Sequence, residues 1–288
     1  MAFCGPSGDG DVLCYNLSGS GAHTPRLYFV NGIRVLPNEH AVTAAYLSLL
    51  LERPIWGVYN KTAGQRLGSL VDFGQCLLDY AQNASARMSS HKYADAGQKI
   101  PDSELPAFLD ALEKHYVVWN DATAALFRQL VTNRRKRQLI VAHSQGNLIT
   151  SNALFAMEKL LGASSLKTVR VYSLASPSPA WPLGLRHTNG GGGRQDNAFM
   201  NDLVALLRPH NLSRKLGYRG LQNDGHFETL EDSWTVALRP HDSRIIIERL
   251  NFLKSIRNDL GLSADLSPEL LAEAARLAEK SVPKECLN

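Results

Sequence analysis

The chain has 288 residues, 44% of them hydrophobic, which suffices for one sizeable core; a single α/β domain of this length is ordinary. Its formal charge of +4 is too small for a dominating basic patch or stripe, so no nucleic-acid partner is expected. The four cysteines (Cys4, Cys14, Cys76, Cys286) show no CxxC spacing and no close histidines, which argues against a zinc site, and no apolar run reaches the ~20 residues of a spanning helix.

Residues 1–25 are rich in Gly and Ser and read as a flexible leader. They contain no basic region followed by an apolar one, so no secretory signal is expected. The default location is cytoplasmic, or outside the cell by a specialised export route. Leu27-Tyr28-Phe29-Val30 is a β-rich run stopped by Asn31-Gly32. After Pro37, Val42, Ala45, Tyr46, Leu49 and Leu50 fall on one helical face. A short strand follows at residues 55–59, then a helical pattern over 65–84 with Leu70, Phe73, Leu77 and Tyr80 on one side. Residues 85–102 lack periodicity and read as a loop. The helical period returns from Leu105 to Val131, broken once. The basic run Arg134-Arg135-Lys136-Arg137 then reads as a solvated helix end, its cations suiting the negative pole of the dipole.

Residues 137–154, RQLIVAHSQGNLITSNAL, combine an apolar strand, an abrupt turn at His143-Ser144-Gln145-Gly146 and an amphipathic helix. Strand, x-Ser-x-Gly and helix together match a nucleophile elbow. The string alone is weak, since a comparable pattern arises by accident in roughly one chain in five of this size. Its context decides. Downstream lie an alternating strand at 168–174 that ends in SPSPAWP, and a glycine-rich loop at 186–196 without the ending of a phosphate loop. A short strand at Asn197–Met200 delivers Asp202, and a strand candidate at 234–238 delivers His241. Ser243 can cap a helix carrying Ile246, Leu250 and Leu253, and Ser267-Pro268 starts a last amphipathic helix. This alternation predicts a largely parallel sheet with helices on both faces, in an α/β catalytic domain over 26–262 with a C-terminal helix over 263–288.

A serine hydroxyl needs a base to take its proton, and the base needs a third group to hold its tautomer. In an α/β sheet, acid and histidine follow the serine at the ends of later strands. Asp202 fits the acid, with Asp196 as a competitor that precedes the expected strand. His241, which follows a strand and opens a helix, fits the base; His226, after a turn, is the alternative. The oxyanion needs two backbone N–H donors. Gln145 supplies one, and the loop at Gly32 and Ile33 the other. This chemistry calls for no metal and no cofactor.

The segments FVNGI, GVYN, VAHSQGN, NDLV and PHDS, spread over about residues 26–260, resemble bacterial lipase-like hydrolases of the α/β-hydrolase fold, a group that includes lipase effectors of type VI secretion. The HSQGN and FVNGI segments are the most specific parts. The resemblance implies Ser144, Asp202 and His241 as a triad, with Gly32 or Ile33 and Gln145 as oxyanion donors. It further implies a carboxylic ester substrate, small-molecule or lipid, and allows transient contact with a membrane surface. Two other readings are compatible with it: a non-catalytic scaffold that binds, and an exported antibacterial lipase toxin. The chain departs from the pattern at Ala142, where many members carry glycine, and no hydrophobic lid helix is visible.

Overall fold

The computed structural model describes residues 5–21, 25–33, 35–61, 77–79, 81–83, 101, 103–105, 109, 120–174, 176, 178, 181–186, 193–197 and 250–282. Among the described residues, six strands form one mixed sheet: β1 (Val12–Tyr15), β2 (Arg26–Val30), β3 (Ile55–Val58), β4 (Gln138–His143), β5 (Val169–Leu174) and β6 (Gly193–Asn197). Their spatial order is β1-β3-β2-β4-β5-β6. Only β1 runs antiparallel, against β3; the other neighbours are parallel. The architecture is α/β.

Period-two alternation along the central strands divides the core. Leu27 and Phe29 of β2, Leu139 and Val141 of β4, and Tyr172 and Leu174 of β5 face one side. Tyr28, Val30, Ile140, Ala142, Val169 and Val171 face the other. Strands buried on both faces read as continuous apolar runs, as these do. The first side is covered by α1 (Pro37–Leu51), α4 (Leu250–Asp259) and α5 (Pro268–Ser281), the second by α2 (Asp121–Thr132) and α3 (Gly146–Leu161).

Three expectations change here. The stretch expected to be a leader contains β1, whose residues pair with β3 in the register Val12 to Val58 through Tyr15 to Ile55. Glycine and serine flank it, but VLCY itself suits an edge strand, and Tyr15 is buried. Second, α1 is buried nearly all round rather than on one face, because Ala274, Ala278 and Val282 at the C-terminal end of the chain pack over it. Third, Leu77, expected on the apolar side of its helix, is 50% exposed, as is its neighbour Leu78 at 53%, whereas Asp79 and Asn83 are fully buried.

Two devices fix α1. His40 is fully buried, stacked on Phe29 and set edge-on to Tyr15 and Tyr59. A Cβ on Gly57 would lie 2.4 Å from its Nε2, so glycine in β3 makes room for the ring. Burial drives the His40 pKa down to about 3, and the ring is therefore neutral at physiological pH. At the other end, Glu52 adopts a left-handed cap (φ 51°) and Arg257 of α4 donates to the carbonyl of Leu50 and to Glu52 Oε1. A cation at a helix C-terminus complements the dipole and ties α4 to α1. The basic run behaves similarly: Arg134 donates to the carbonyl of Val131 near the end of α2, Arg137 to that of Asp259, while Arg135 and Lys136 stay exposed.

Candidate active site

From β2 the chain passes over one face through α1 to β3; it later returns to β4, on the opposite side of β2, and leaves over the other face through α3. β2 and β4 therefore flank a switch point of the sheet, at whose carboxyl ends open α/β sheets place their ligands. Asn31, Gly32 and Ile33 follow β2; Ser144 and Gln145 follow β4. The topology alone makes them neighbours.

β4 ends at His143 and α3 begins at Gly146, so the reversal from strand to helix takes only two residues. Ser144 absorbs it with φ 51°. Left-handed backbone costs a residue with a Cβ about 1–2 kcal/mol, so the bend must be held from outside. Its own N–H donates to the carbonyl of Leu174 in β5 at 3.0 Å. Asn147 completes the clamp: its Nδ2 donates to Leu174 O at 2.7 Å and to Ser144 O at 3.0 Å.

The glycines of this region are set by contact. A Cβ on Gly146 would lie 2.4 Å from the carbonyl oxygen of Val30 and 2.8 Å from that of Asn31. Both obstacles are backbone, so the first turn of α3 lies directly on the end of β2 only because residue 146 has no side chain. A Cβ on Gly32 would lie 2.5 Å from Ser144 Cβ and 3.1 Å from its Oγ. The loop after β2 thus abuts the serine side chain itself.

Ser144 is 1% exposed, and its Oγ has no hydrogen-bond partner among the described residues. An unsatisfied buried hydroxyl costs about 1–3 kcal/mol. Strain and desolvation at one residue, with no structural return, mark a functional position. The backbone N–H groups of Gly32, Ile33 and Gln145 likewise donate to nothing among the described residues, and that of Gln145 sits at the start of α3, where the helix dipole favours negative charge. A strained hydroxyl beside free N–H donors is an arrangement for attack on a carbonyl whose oxygen becomes charged.

Of the residues expected from sequence, the structure brings together Ser144, Gln145, Gly32 and Ile33. Asp202, His241 and His226 lie outside the described residues. Asp196 lies inside a strand: β6 spans Gly193–Asn197, and Asp196 pairs in register with Ser173 of β5, while residues 198–200 of the strand expected at Asn197–Met200 lie outside the described residues. Part of the glycine-rich stretch is therefore strand, because the open edge of β5 satisfies its backbone whatever its side chains are. His143, at the last position of β4, is buried. Among the described residues no group of three or more His, Cys, Asp or Glu is arranged to hold a metal ion, and no helix is long and apolar enough to cross a membrane.

Sequence reasoning missed the polar layer beneath the serine. Asn31 Nδ2 donates to the carbonyls of Gly32 (3.0 Å) and Asn60 (2.8 Å), and Asn60 N–H returns a bond to Asn31 Oδ1 at 2.9 Å. Asn60 Nδ2 donates to Gln145 Oε1 at 2.9 Å, and Gln145 Nε2 to Asp79 Oδ2 at 2.6 Å. Asn120, whose Oδ1 caps α2 through Thr123 N–H, donates to the same carboxylate, and Asn152 to the backbone carbonyl of Asp79. Asparagines at the ends of two strands, in FVNG and GVYN, were the available signal.

The chain has no significant match among protein-family models, curated proteins or solved structures.

Proposed function

We propose that the chain is a serine ester hydrolase of the α/β-hydrolase type, acting through an acyl-enzyme on Ser144. The carrying observation is Ser144 itself: a non-glycine residue at φ 51° on a strand–turn–helix, buried, without a hydroxyl partner among the described residues, and in contact with the loop that offers the second oxyanion donor. Placement at the carboxyl ends of β2 and β4, the switch point of the sheet, supports the same reading.

In this reaction Ser144 Oγ attacks the ester carbonyl while the base takes its proton. The N–H groups of Gln145 and of Gly32 or Ile33 receive the developing oxyanion. As the tetrahedral intermediate collapses, the alcohol leaves with the proton from the base; water, activated by the same base, then releases the acid. Sequence order assigns Asp202 as the orienting acid and His241 as the base, with His226 as the alternative. The substrate class we propose is a carboxylic ester, with a lipid ester as the form implied by the resemblance.

A fluorophosphonate probe tests the reading. The wild-type chain should be labelled, and Ser144→Ala should not; a wild-type chain that resists the probe would overturn it. Rates on p-nitrophenyl esters of increasing chain length, together with a phospholipid panel, then separate esterase, lipase and phospholipase.

A further inference from the structure

The buried amides below Ser144 form a chain with one direction. Asn31 Nδ2 donates to the backbone carbonyl of Asn60, Asn60 Nδ2 to Gln145 Oε1, and Gln145 Nε2 to Asp79 Oδ2. An amide can be turned end for end at little steric cost, so a row of amides has two competing orientations. A carboxylate accepts on both oxygens and removes that freedom. With Asp79 at the end, Gln145 must point its N–H inward and its Oε1 towards Asn60; Asn60 must in turn offer its Nδ2. All four side chains are at most 3% exposed, so water cannot substitute for a mispaired member.

The row also joins the two places from which oxyanion donors come. At one end Asn31 directly precedes Gly32 and holds its carbonyl. At the other, Gln145 is the residue whose backbone N–H follows the serine. Asn60, just beyond β3, bridges them. A shift in either loop by a few tenths of an ångström would stretch this row, so it keeps the two donor segments in a fixed mutual position.

Resting on the serine-hydrolase reading, we propose that Asp79 is a positioning residue: through the row Asp79–Gln145–Asn60–Asn31 it locks the loop after β2 and the elbow after β4 in the spacing that receives the oxyanion. Asp79→Asn keeps the shape but replaces the carboxylate by an amide that can be turned, so the end of the row no longer fixes Gln145 in one orientation. If the new amide presents NH2 to Gln145, Gln145 must turn and set its own Nε2 against Asn60 Nδ2. If it presents oxygen, a charge-assisted bond is replaced by a weaker neutral one.

The test is kinetic, on a soluble p-nitrophenyl ester. Asp79→Asn and Asn60→Ser should each lower kcat by about 10- to 100-fold with KM changed less than about 3-fold, because the loss falls on a transition-state interaction. The double variant should be no worse than about the poorer single one, since both cut the same row. Asn133→Ala is the control for general loosening: Asn133 is buried but bonds Tyr28 Oη and the carbonyl of Gln129 at the C-terminal end of α2, the end opposite Asn120, and its kcat should stay near wild type. If Asp79→Asn fails to fold, Asn60→Ser carries the test alone. Wild-type kcat in Asn60→Ser or in folded Asp79→Asn, or multiplicative effects in the double variant, would overturn the positioning role while leaving Ser144 intact. An unlabelled wild-type chain would instead sink the hydrolase reading, and this role with it.

Discussion

The elbow and the segment 77–83 meet beneath Ser144, yet opposite rules build them. At the elbow, local backbone geometry decides everything: a two-residue reversal, a left-handed serine, and glycines placed where carbonyls leave no room. At residues 77–79 and 81–83 the backbone is ordinary helix, and selection of the buried face decides. That face is polar: Asp79 and Asn83 are inside, Leu77 and Leu78 outside. Amphipathic reasoning assumes an apolar core beneath a helix. Here the surface underneath is the amide-rich floor of the site, and polar groups are what it can pair with.

The sharpest test of the elbow half is Gly146→Val. Its new side chain would collide with the carbonyls of Val30 and Asn31, neither of which can move without breaking the sheet. We expect a loss of at least about 3 kcal/mol, at or beyond the upper end of ordinary overpacking, read from urea unfolding. Gly21→Ala, where nothing lies within 4 Å of the added carbon, should change stability by no more than about 0.5 kcal/mol. Similar losses in the two variants would show that contact does not set the glycine at 146.

What could be read in advance follows the same division. Ser144, Gly146 and the Asn31-Gly32 turn were legible because each obeys a constraint within a few residues. The alternation of apolar residues in β2, β4 and β5 was legible because both faces of these strands are buried. β1 was hidden by the glycines and serines around it, and its pairing with β3 depends on residues 40 to 46 positions away. β6 was hidden because Arg194, Gln195 and Asp196 give no apolar signal, and the edge of β5 is what organises them. Asp79 was invisible: its partners Gln145 and Asn120 are 66 and 41 residues distant. Long-range polar pairing leaves no period in a sequence.

Buried polarity on the opposite face of the sheet has different surroundings, and pH separates the two. His40 is enclosed by Phe29, Tyr15 and Tyr59, and its pKa falls from 6.5 to about 3 through desolvation. Between these values the unfolded chain binds a proton that the folded chain does not, so stability is intact above about pH 6.5 and declines as pH falls. The slope approaches about 1.4 kcal/mol per pH unit, or about 2 kcal/mol lost from about pH 6.5 to about pH 5. His40→Phe keeps a ring in the slot and removes the titration, and should flatten that limb in urea titrations at several pH values. An unchanged slope would assign the acid sensitivity to other groups.

The smallest effects bear on the inverted helix face. Asn83 donates to Ser151 Oγ at 2.9 Å and to Asn152 Oδ1 at 3.0 Å, and it accepts from Ser178 Oγ at 3.3 Å. Asn83→Leu supplies the apolar residue that the helical pattern would favour, but it removes these three buried hydrogen bonds. It should cost about 1–3 kcal/mol. Leu77→Ser and Leu78→Ser remove apolar groups that the same pattern would place in or beside a core. Because both side chains are half exposed, each should cost less than about 0.5 kcal/mol by thermal or urea unfolding. The ranking of these variants is the discriminating quantity: a helix packed on an apolar core requires the serines to be worse than Asn83→Leu, and a helix seated on an amide floor requires the reverse.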